Sequence, residues 1–383
     1  MPTDTAHDSH VGEHRRSAQA TGVPTVGVEE ELILLDPTSG VVVPAAAEVI
    51  RDCRNPAHVV AEPMRFMVET RTPVCNSLAE VHEGLSTMRR RVAEVASRHG
   101  VVTVASGVPP FGMPDPPQVT DEPRYHELAR RFPLAMRTNG ICGCHVHVGV
   151  ATRQVAVEAL HRLRPWLPPL IALTANSPIW EGEVTSWASR RFLLASRWPT
   201  AMPAPPARSV EEYDHLLGQA IASGQALDSR SVYFLARLSP RYPTIEVRAA
   251  DMCLTVDEAV AYAGLVRALV STAVDEAATG RPVIPVQQAL LRQSCWSAAR
   301  VGLDGTVTDP QTGSQVPAWE LIDALIARVQ PLLRAHGDEA RVLSIIDRVR
   351  AVGGGADRQR RLFQLSSSPG AFAAALATGT AGR

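Results

Sequence analysis

The chain has 383 residues, a formal net charge of −1 and 45% apolar residue types, enough for one large or two ordinary domains and without the one-signed field that draws nucleic acid or an anionic membrane. It contains no lysine, which excludes P-loop nucleotide binding, Schiff-base catalysis and protein-kinase chemistry, because each needs a primary amine. Any phosphate handled here falls to arginine, metal ions or backbone N–H groups.

Residues 1–23 are polar and lack an apolar signal-peptide stretch, so they read as a disordered leader. No apolar run approaches membrane-spanning length. Six scattered cysteines without framework spacing suit reduced thiols in the cytoplasm. After the leader, "TVGVEEELILLD" reads as a strand, "DPTSG" as a turn into "VVVP", and "MRFMVETRTPV" as a second strand. Ser77 and Glu80 open a helix of period 3.6 that Gly100 stops. A strand "VVTVASG", a Pro-rich loop and a short helix "RYHELARRF" lead to "ICGCHVHVGV". Val155 to Leu173 reads as helix broken by Pro165, Pro168 and Pro169. "SVYFLARLS" and "YPTIEVRAAD" read as a hairpin, Thr255 and Glu258 cap a long apolar helix to about Ala278, and amphipathic helices follow from about Pro285. Strands in short-linked pairs and helices in clumps predict an α+β fold. Its mostly antiparallel sheet carries helices behind one face and leaves the other for polar chemistry. One domain is expected over 24–370, then a flexible tail over 371–383.

Alternation along the strands says which side chains can meet. In "ICGCHVHVGV", Cys142, Cys144, Val146 and Val148 share one face, and His145 and His147 the other. Thiols and imidazoles therefore cannot converge on one ion, and the cysteines read as small buried hydrophobes. In "GVEEEL", Glu29 and Glu31 share a face while Glu30 turns away with Val28 and Leu32, near an edge or paired. Glu69 alternates with Met67 and Arg71, Glu62 lies on the approach to that strand, and Glu246 shares a face with Arg248. Taken singly, each acid is an ordinary exposed sheet residue. Several strands presenting carboxylates opposite branched apolar residues instead suggest an oxygen-rich site for Mg²⁺ or Mn²⁺ and a nucleotide, suited to phosphoryl transfer.

"GVEEEL", "ETRTPVC", "GCHVHVGV", "LTANSPIWEG" and "TIEVRAADMC", with "WSAARVGLDG" and "GGADRQR", resemble the carboxylate-amine ligases of the bacterial glutamate–cysteine ligase type 2 (YbdK-like) family from about Val26 to Phe363. The resemblance implies a glutamine-synthetase-like fold with the sheet forming a concave active-site face. It also implies a cytoplasmic, ATP- and Mg²⁺-dependent enzyme, commonly a homo-oligomer. ATP would phosphorylate a carboxylate, such as the γ-carboxyl of glutamate, and an amine such as cysteine's would attack the acyl phosphate. By position it makes Glu29, Glu31, Glu62, Glu69 and Glu246 metal ligands. His145, His147 and Arg248 become catalytic, His147 and Arg248 also touching nucleotide, and Arg191, Trp296 and Arg300 bind substrate.

The sequence departs from the family pattern around Trp296, where Gln293, Ser294 and Ser297 replace more strongly polar or charged residues, and at Leu235, where an acid is usual. These changes point to a shifted substrate pair. Two other readings stay open from sequence: a non-catalytic nucleotide- or ligand-binding member of the family, and a metal-dependent hydrolase using His145 and His147. "GGADRQRRLF" reads as a glycine stop before a basic helix rather than as a phosphate site.

Overall fold

The computed structural model describes residues 22–381, so the expected leader lies outside the described residues except for its last two. Its organising element is β1 (Val26–Leu35), which pairs on both sides. In chain order follow β2 (Val59–Ala61), β3 (Met67–Arg71), β4 (Val102–Val104), β5 (Gly143–Gly149), β6 (Ile179–Trp180), β7 (Glu183–Val184), β8 (Ala236–Leu238) and β9 (Thr244–Asp251). The main sheet runs β2-β3-β1-β5-β9-β8, with every pairing antiparallel. β4 joins β1 farther along, at Ile33–Leu35. β6–β7 and β10 (Thr306–Thr308)–β11 (Gln315–Pro317) are small separate hairpins that the sequence reading lacks.

One face of the sheet is apolar. Val26, Val28, Cys144, Val146, Val148, Ile245 and Val247 join a buried cluster with the helix Val256–Ala278. That helix is buried nearly all round, as its almost unbroken apolar sequence requires. Thr255 and Glu258 close its N-terminus with a reciprocal capping box. A second cluster covers Leu32–Leu35 and Val68 with Val92 and Val95 of the helix Leu78–Arg98. The prolines act as expected on the stretch after β5: helix Arg153–Leu163, one 3₁₀ turn over Arg164–Trp166, then helix Leu167–Thr174. β8 holds only three of the residues expected in its hairpin arm; just upstream the Tyr233 and Leu235 amides bond instead to the Thr200 hydroxyl and the Met202 carbonyl.

The segment expected as a flexible tail is instead the helix Pro369–Thr380. Its small residues conceal a docking face: Phe372 and Leu376 are fully buried, and the Thr380 hydroxyl accepts a hydrogen bond from the Ala105 amide at 2.8 Å. The same helix end meets the buried pair that settles the position of Glu30. Arg89, 1% exposed, donates to both Glu30 carboxylate oxygens at 2.6 and 2.8 Å, and to the carbonyls of Cys253 and Leu254 at 2.8 and 3.0 Å. It reaches the Thr380 carbonyl at 3.4 Å. One guanidinium thus ties β1 to the exit of β9 and to the last helix. No helix among the described residues is long and apolar enough to cross a membrane.

Removing one partner of a buried ion pair leaves the other charge uncompensated, so Glu30→Gln is expected to cost about 3 kcal/mol or more of unfolding free energy. Urea denaturation measures this, and Glu30→Met combined with Arg89→Met should recover much of the loss. A change in Glu30→Gln smaller than about 1 kcal/mol would mean the pair does not hold these elements together.

Candidate active site

The polar face of the sheet is built by register. Across β3, β1 and β5, Arg71, Glu29 and His145 stand in line. One step along, Glu69 faces Glu31, which faces the start of β5; there the Gly143 amide donates to Glu31 Oε2 at 2.6 Å. His147 pairs with Glu246 on β9, and Glu246 with Arg237 on β8. Glu62 enters from the turn between β2 and β3. The period of two in the sequence thus becomes a field of acids, imidazoles and guanidiniums on one side of five strands.

The five predicted acids separate into two groups. Glu31, Glu62 and Glu69 can bring one oxygen each within 4.8 Å of one another, and Glu29, His147 and Glu246 form a second such trio. His147, expected in a catalytic or nucleotide-contacting role, therefore stands among potential metal ligands. Its Nδ1 is held by the Thr244 hydroxyl at 2.9 Å, while its buried Nε2 has no hydrogen-bond partner among the described residues and lies 3.6 Å from Glu29. An orphaned imidazole nitrogen beside two carboxylates has the donor chemistry of a divalent-cation site.

The two groups have opposite electrostatics. Burial pushes Glu31 up to about 7, with Arg191 opposing and Glu69 adding to the rise. Burial, then the neighbouring Glu69 and Glu31, drive Glu62 well above the usual carboxylate range. Glu69 is raised by burial and by Glu29, against the pull of Arg71. In the second trio, burial would raise Glu29, but His147 and the contacts from both imidazoles hold it well below normal. Glu246 is likewise pulled down against its burial by Arg237 and Arg248. Arg237 donates to it at 2.8 Å, and Arg248 pairs with its other oxygen. His145 is pushed down to about 3 by burial and by Arg248, whose Nη1 lies 3.4 Å from His145 Nδ1.

Beside the first trio, a cavity is lined by Glu31, Glu62, His145, Arg191 and Arg248 together with Asn139, Tyr233 and apolar side chains. Arg191 belongs to the short helix Arg190–Ala195, whose N-terminus Ser189 caps. The Arg191 guanidinium donates to the Arg248 carbonyl at 3.3 Å, while its buried Nε has no hydrogen-bond partner among the described residues. Gly143 makes this possible, since a side-chain carbon there would overlap the Arg191 guanidinium.

Trp296 and Arg300 do not line this cavity, contrary to the expectation from the family pattern. Trp296 is 42% exposed, packs edge-on against Trp187 with ring centroids 5.1 Å apart, and lies beneath Arg300. The Arg300 carbonyl pairs with the Ala188 amide at 2.9 Å, so this helix supports the segment before Arg191 and does not reach the cavity. The neighbouring Ser294 and Ser297 are engaged in hydrogen bonds around β10. In "GGADRQR", Arg358, Arg360 and Arg361 are each tied to protein partners: Glu258, Asp357 and the Val352 carbonyl. Gln359 donates to the Asn176 carbonyl and side-chain oxygen, both at 2.8 Å. The glycine-stop reading of that motif agrees with this arrangement.

Two site residues escaped the sequence reading. Arg237, the second clamp on Glu246, was legible in principle, because the β8–β9 hairpin sets it opposite that acid. Asp251 was not. Between Cys144 and Val146 on β5 the partner on β9 moves three residues, from Ala250 to Val247, and this bulge turns Asp251 toward the polar side opposite Gly143. There Asp251 accepts from the Ser177 and Ser189 hydroxyls at 2.6 Å each and from the Asn176 amide at 2.9 Å. The cysteines divide as well: Cys144 lies in the core behind the sheet, whereas Cys142 joins the second cluster with its amide bonded to the Gly107 carbonyl. All six thiols are buried and free.

Comparison with known proteins agrees with this architecture. The chain is 44% identical over 341 residues to a Saccharopolyspora erythraea protein provisionally named glutamate–cysteine ligase 2-1, covering 89% of this chain and 90% of that one. It is 43% identical to a Salinispora arenicola protein provisionally named glutamate–cysteine ligase 2, over 90% of this chain and 91% of the relative. Among solved structures, the glutamate–cysteine ligase of Francisella tularensis in complex with AMP superposes with a TM-score of 0.62 at 13% identity, over 94% of this chain and 92% of the other. A bifunctional glutathione synthetase from Pasteurella multocida gives 0.67 at 15% identity over 97% of this chain, which spans only 54% of that larger protein. These likenesses show the shared glutamine-synthetase-like α+β fold. Residues 25–378 match the family described as Glutamate-cysteine ligase family 2 (GCS2), and with relatives this similar over nearly its whole length the chain belongs to that family.

Proposed function

We propose that this protein is an ATP-dependent ligase of γ-glutamyl type, joining the carboxylate of glutamate or an analogue to an amine through an acyl phosphate, in the cytoplasm. The observation that carries the reading is the pair of largely buried metal-capable trios side by side on one sheet face, Glu31/Glu62/Glu69 and Glu29/His147/Glu246, with Glu29 and Glu62 half-buried. A binding module gains nothing from crowding carboxylates whose repulsion only a cation relieves. A hydrolase with a His-x-His centre would need both imidazoles in one ligand set, whereas His145 belongs to neither trio.

In this reading both trios hold Mg²⁺ or Mn²⁺, and the bound metal supplies positive charge that neutralises the phosphates during transfer. Arg248, fixed by Glu246, orients the transferring phosphoryl group through its remaining N–H donors. His145 stays neutral, and with Arg248 donating to Nδ1 its proton sits on Nε2. That buried Nε2 has no hydrogen-bond partner among the described residues, with a Glu31 carboxylate oxygen 3.9 Å away, so it is free to donate to an oxygen of the acyl group. Arg191, with its unpartnered Nε, holds a substrate carboxylate. Burial keeps competing water away from the acyl phosphate.

Glu29→Gln should lower kcat for acid-dependent ADP formation by about 100-fold or more while leaving circular dichroism unchanged. Activity within threefold of the parent, measured by coupled assay at saturating Mg²⁺, would remove Glu29 from the metal set.

The first trio also predicts a pH dependence. Glu31, raised from 4.5 to about 7, contributes stability to the cation-free protein at low pH that is lost as pH rises through 7. A divalent cation replaces those protons, so the rise in Tm on adding Mg²⁺ should be larger near pH 8 than near pH 6. Differential scanning fluorimetry tests this, and a rise that shrinks with increasing pH would contradict the assignment of Glu31, Glu62 and Glu69.

A further inference from the structure

The cavity beside Glu31 and Glu62 has two unlike halves. One is polar, lined by Arg191, His145 and Arg248. The other is a wall of Met67, Ile141, Phe192, Trp198, Tyr233 and Leu235. This wall is held in place. The Trp198 indole N–H donates to Asn139 Oδ1 at 3.1 Å and its ring meets Tyr233 edge-on, with centroids 5.0 Å apart. The Tyr233 amide donates to the Thr200 hydroxyl at 2.9 Å, the Leu235 amide to the Met202 carbonyl at 3.0 Å, and Arg248 covers the Tyr233 ring. Trp198 and Leu235 are 5% and 6% exposed and pack into the two core clusters, so the apolar surface they present to the cavity is fixed in place.

An apolar wall inside a site that performs charged chemistry needs an occupant. Glutamate, polar at both ends, leaves it unused, and the single-carbon side chain of cysteine covers a fraction of it. An α-amino acid with a large apolar side chain satisfies both halves. Its carboxylate meets Arg191, its amine lies toward His145 and Glu31 where the acyl group is activated, and its side chain desolvates against Trp198, Tyr233 and Leu235.

Resting on the ligase reading above, we propose that the amine substrate is an amino acid with an aromatic or branched aliphatic side chain rather than cysteine, and that Leu235 and Trp198 set this preference. The amine nitrogen bonds to the acyl carbon as the carbon–oxygen bond to phosphate breaks. Inorganic phosphate leaves with one of the ammonium's two lost protons, and the other goes to solvent.

The test separates this proposal from the reading beneath it. Hydroxylamine, which needs no specific pocket, traps the acyl phosphate as a hydroxamate when the enzyme is given ATP, Mg²⁺ and an acid. With the best acid so found, amide formation is followed by mass spectrometry across leucine, phenylalanine, methionine, alanine, serine and cysteine. The expected result is kcat/KM at least about tenfold higher for leucine or phenylalanine than for cysteine and alanine, the scale of discrimination that extra methylenes produce in an apolar pocket. Leu235→Ala should lower kcat/KM for those substrates about tenfold or more while changing that for alanine much less, a loss of selectivity that general loss of fold would not produce. Cysteine or alanine as the best amine, with hydroxamate formed, would overturn the proposal while sparing the ligase. No hydroxamate with any acid would overturn both.

Discussion

Everything in this site depends on how carboxylates can be crowded where water cannot screen them. Two like charges about 4 Å apart repel by roughly 4 kcal/mol at an effective dielectric near 20, so such a face is tolerated only with compensation. The protein uses two kinds. Around Glu246, and through it Glu29, compensation is built in: Arg237, Arg248 and His147 supply positive charge, and both acids are held ionised. Around Glu31, Glu62 and Glu69 it is largely lacking, with Arg71 on Glu69 as the close ion pair, and all three acids are pushed toward the protonated form. Glu31, Glu62 and Glu69 are thus poised to exchange protons for a cation, while Glu29 and Glu246 hold their charge in advance. A nucleotide–metal complex entering this face would find one half organised and the other completed by its own ions.

The scaffold makes this arrangement possible by keeping the other face of the same strands apolar. β1 carries three consecutive acids, and the middle one must point into the core. Glu30 is neither moved to an edge nor left alone in the core; Arg89 reaches it from a helix 59 residues later in the chain. Its remaining hydrogen bonds bind the exit of β9 and the C-terminal helix, so the residue that resolves the conflict in β1 also fixes the strand bearing Glu246 and Arg248.

What the sequence made legible was what alternation determines: which residues of "VGVEEEL", "CHVHVG" and "TIEVR" share a face, and hence that acids and imidazoles meet on one side. Helix ends were legible where a side chain caps, at Ser77 and Thr255. Alternation does not specify how separate strands are offset, so the division into two trios and the transfer of His147 to one of them appeared only with the register. It fails outright at a bulge, which is why Asp251 was missed. Trp296 and Arg300 were expected at the site from motif position alone, and proximity in sequence to a motif says nothing about which side of a helix faces the cavity. The C-terminal helix was missed because alanine and glycine give weak apolar periodicity, although one Phe372 suffices to seat it.

The absence of lysine fits this electrostatic scheme. Desolvation in a closed acidic site lowers the pKa of an ammonium by units, and a lysine set between carboxylates there could donate its proton to them once metal was lost. A guanidinium stays charged under the same burial and spreads its donors over a planar fork. Arg248 uses this capacity, binding Glu246 while approaching His145 and covering Tyr233, so that acid face, imidazole and apolar wall share one rigid cation. Whatever restricted the basic residues of this chain to arginine, the outcome is a site whose positive charges cannot be titrated away near neutrality. The carboxylates and His147 are then left to respond to pH and to the arriving cation.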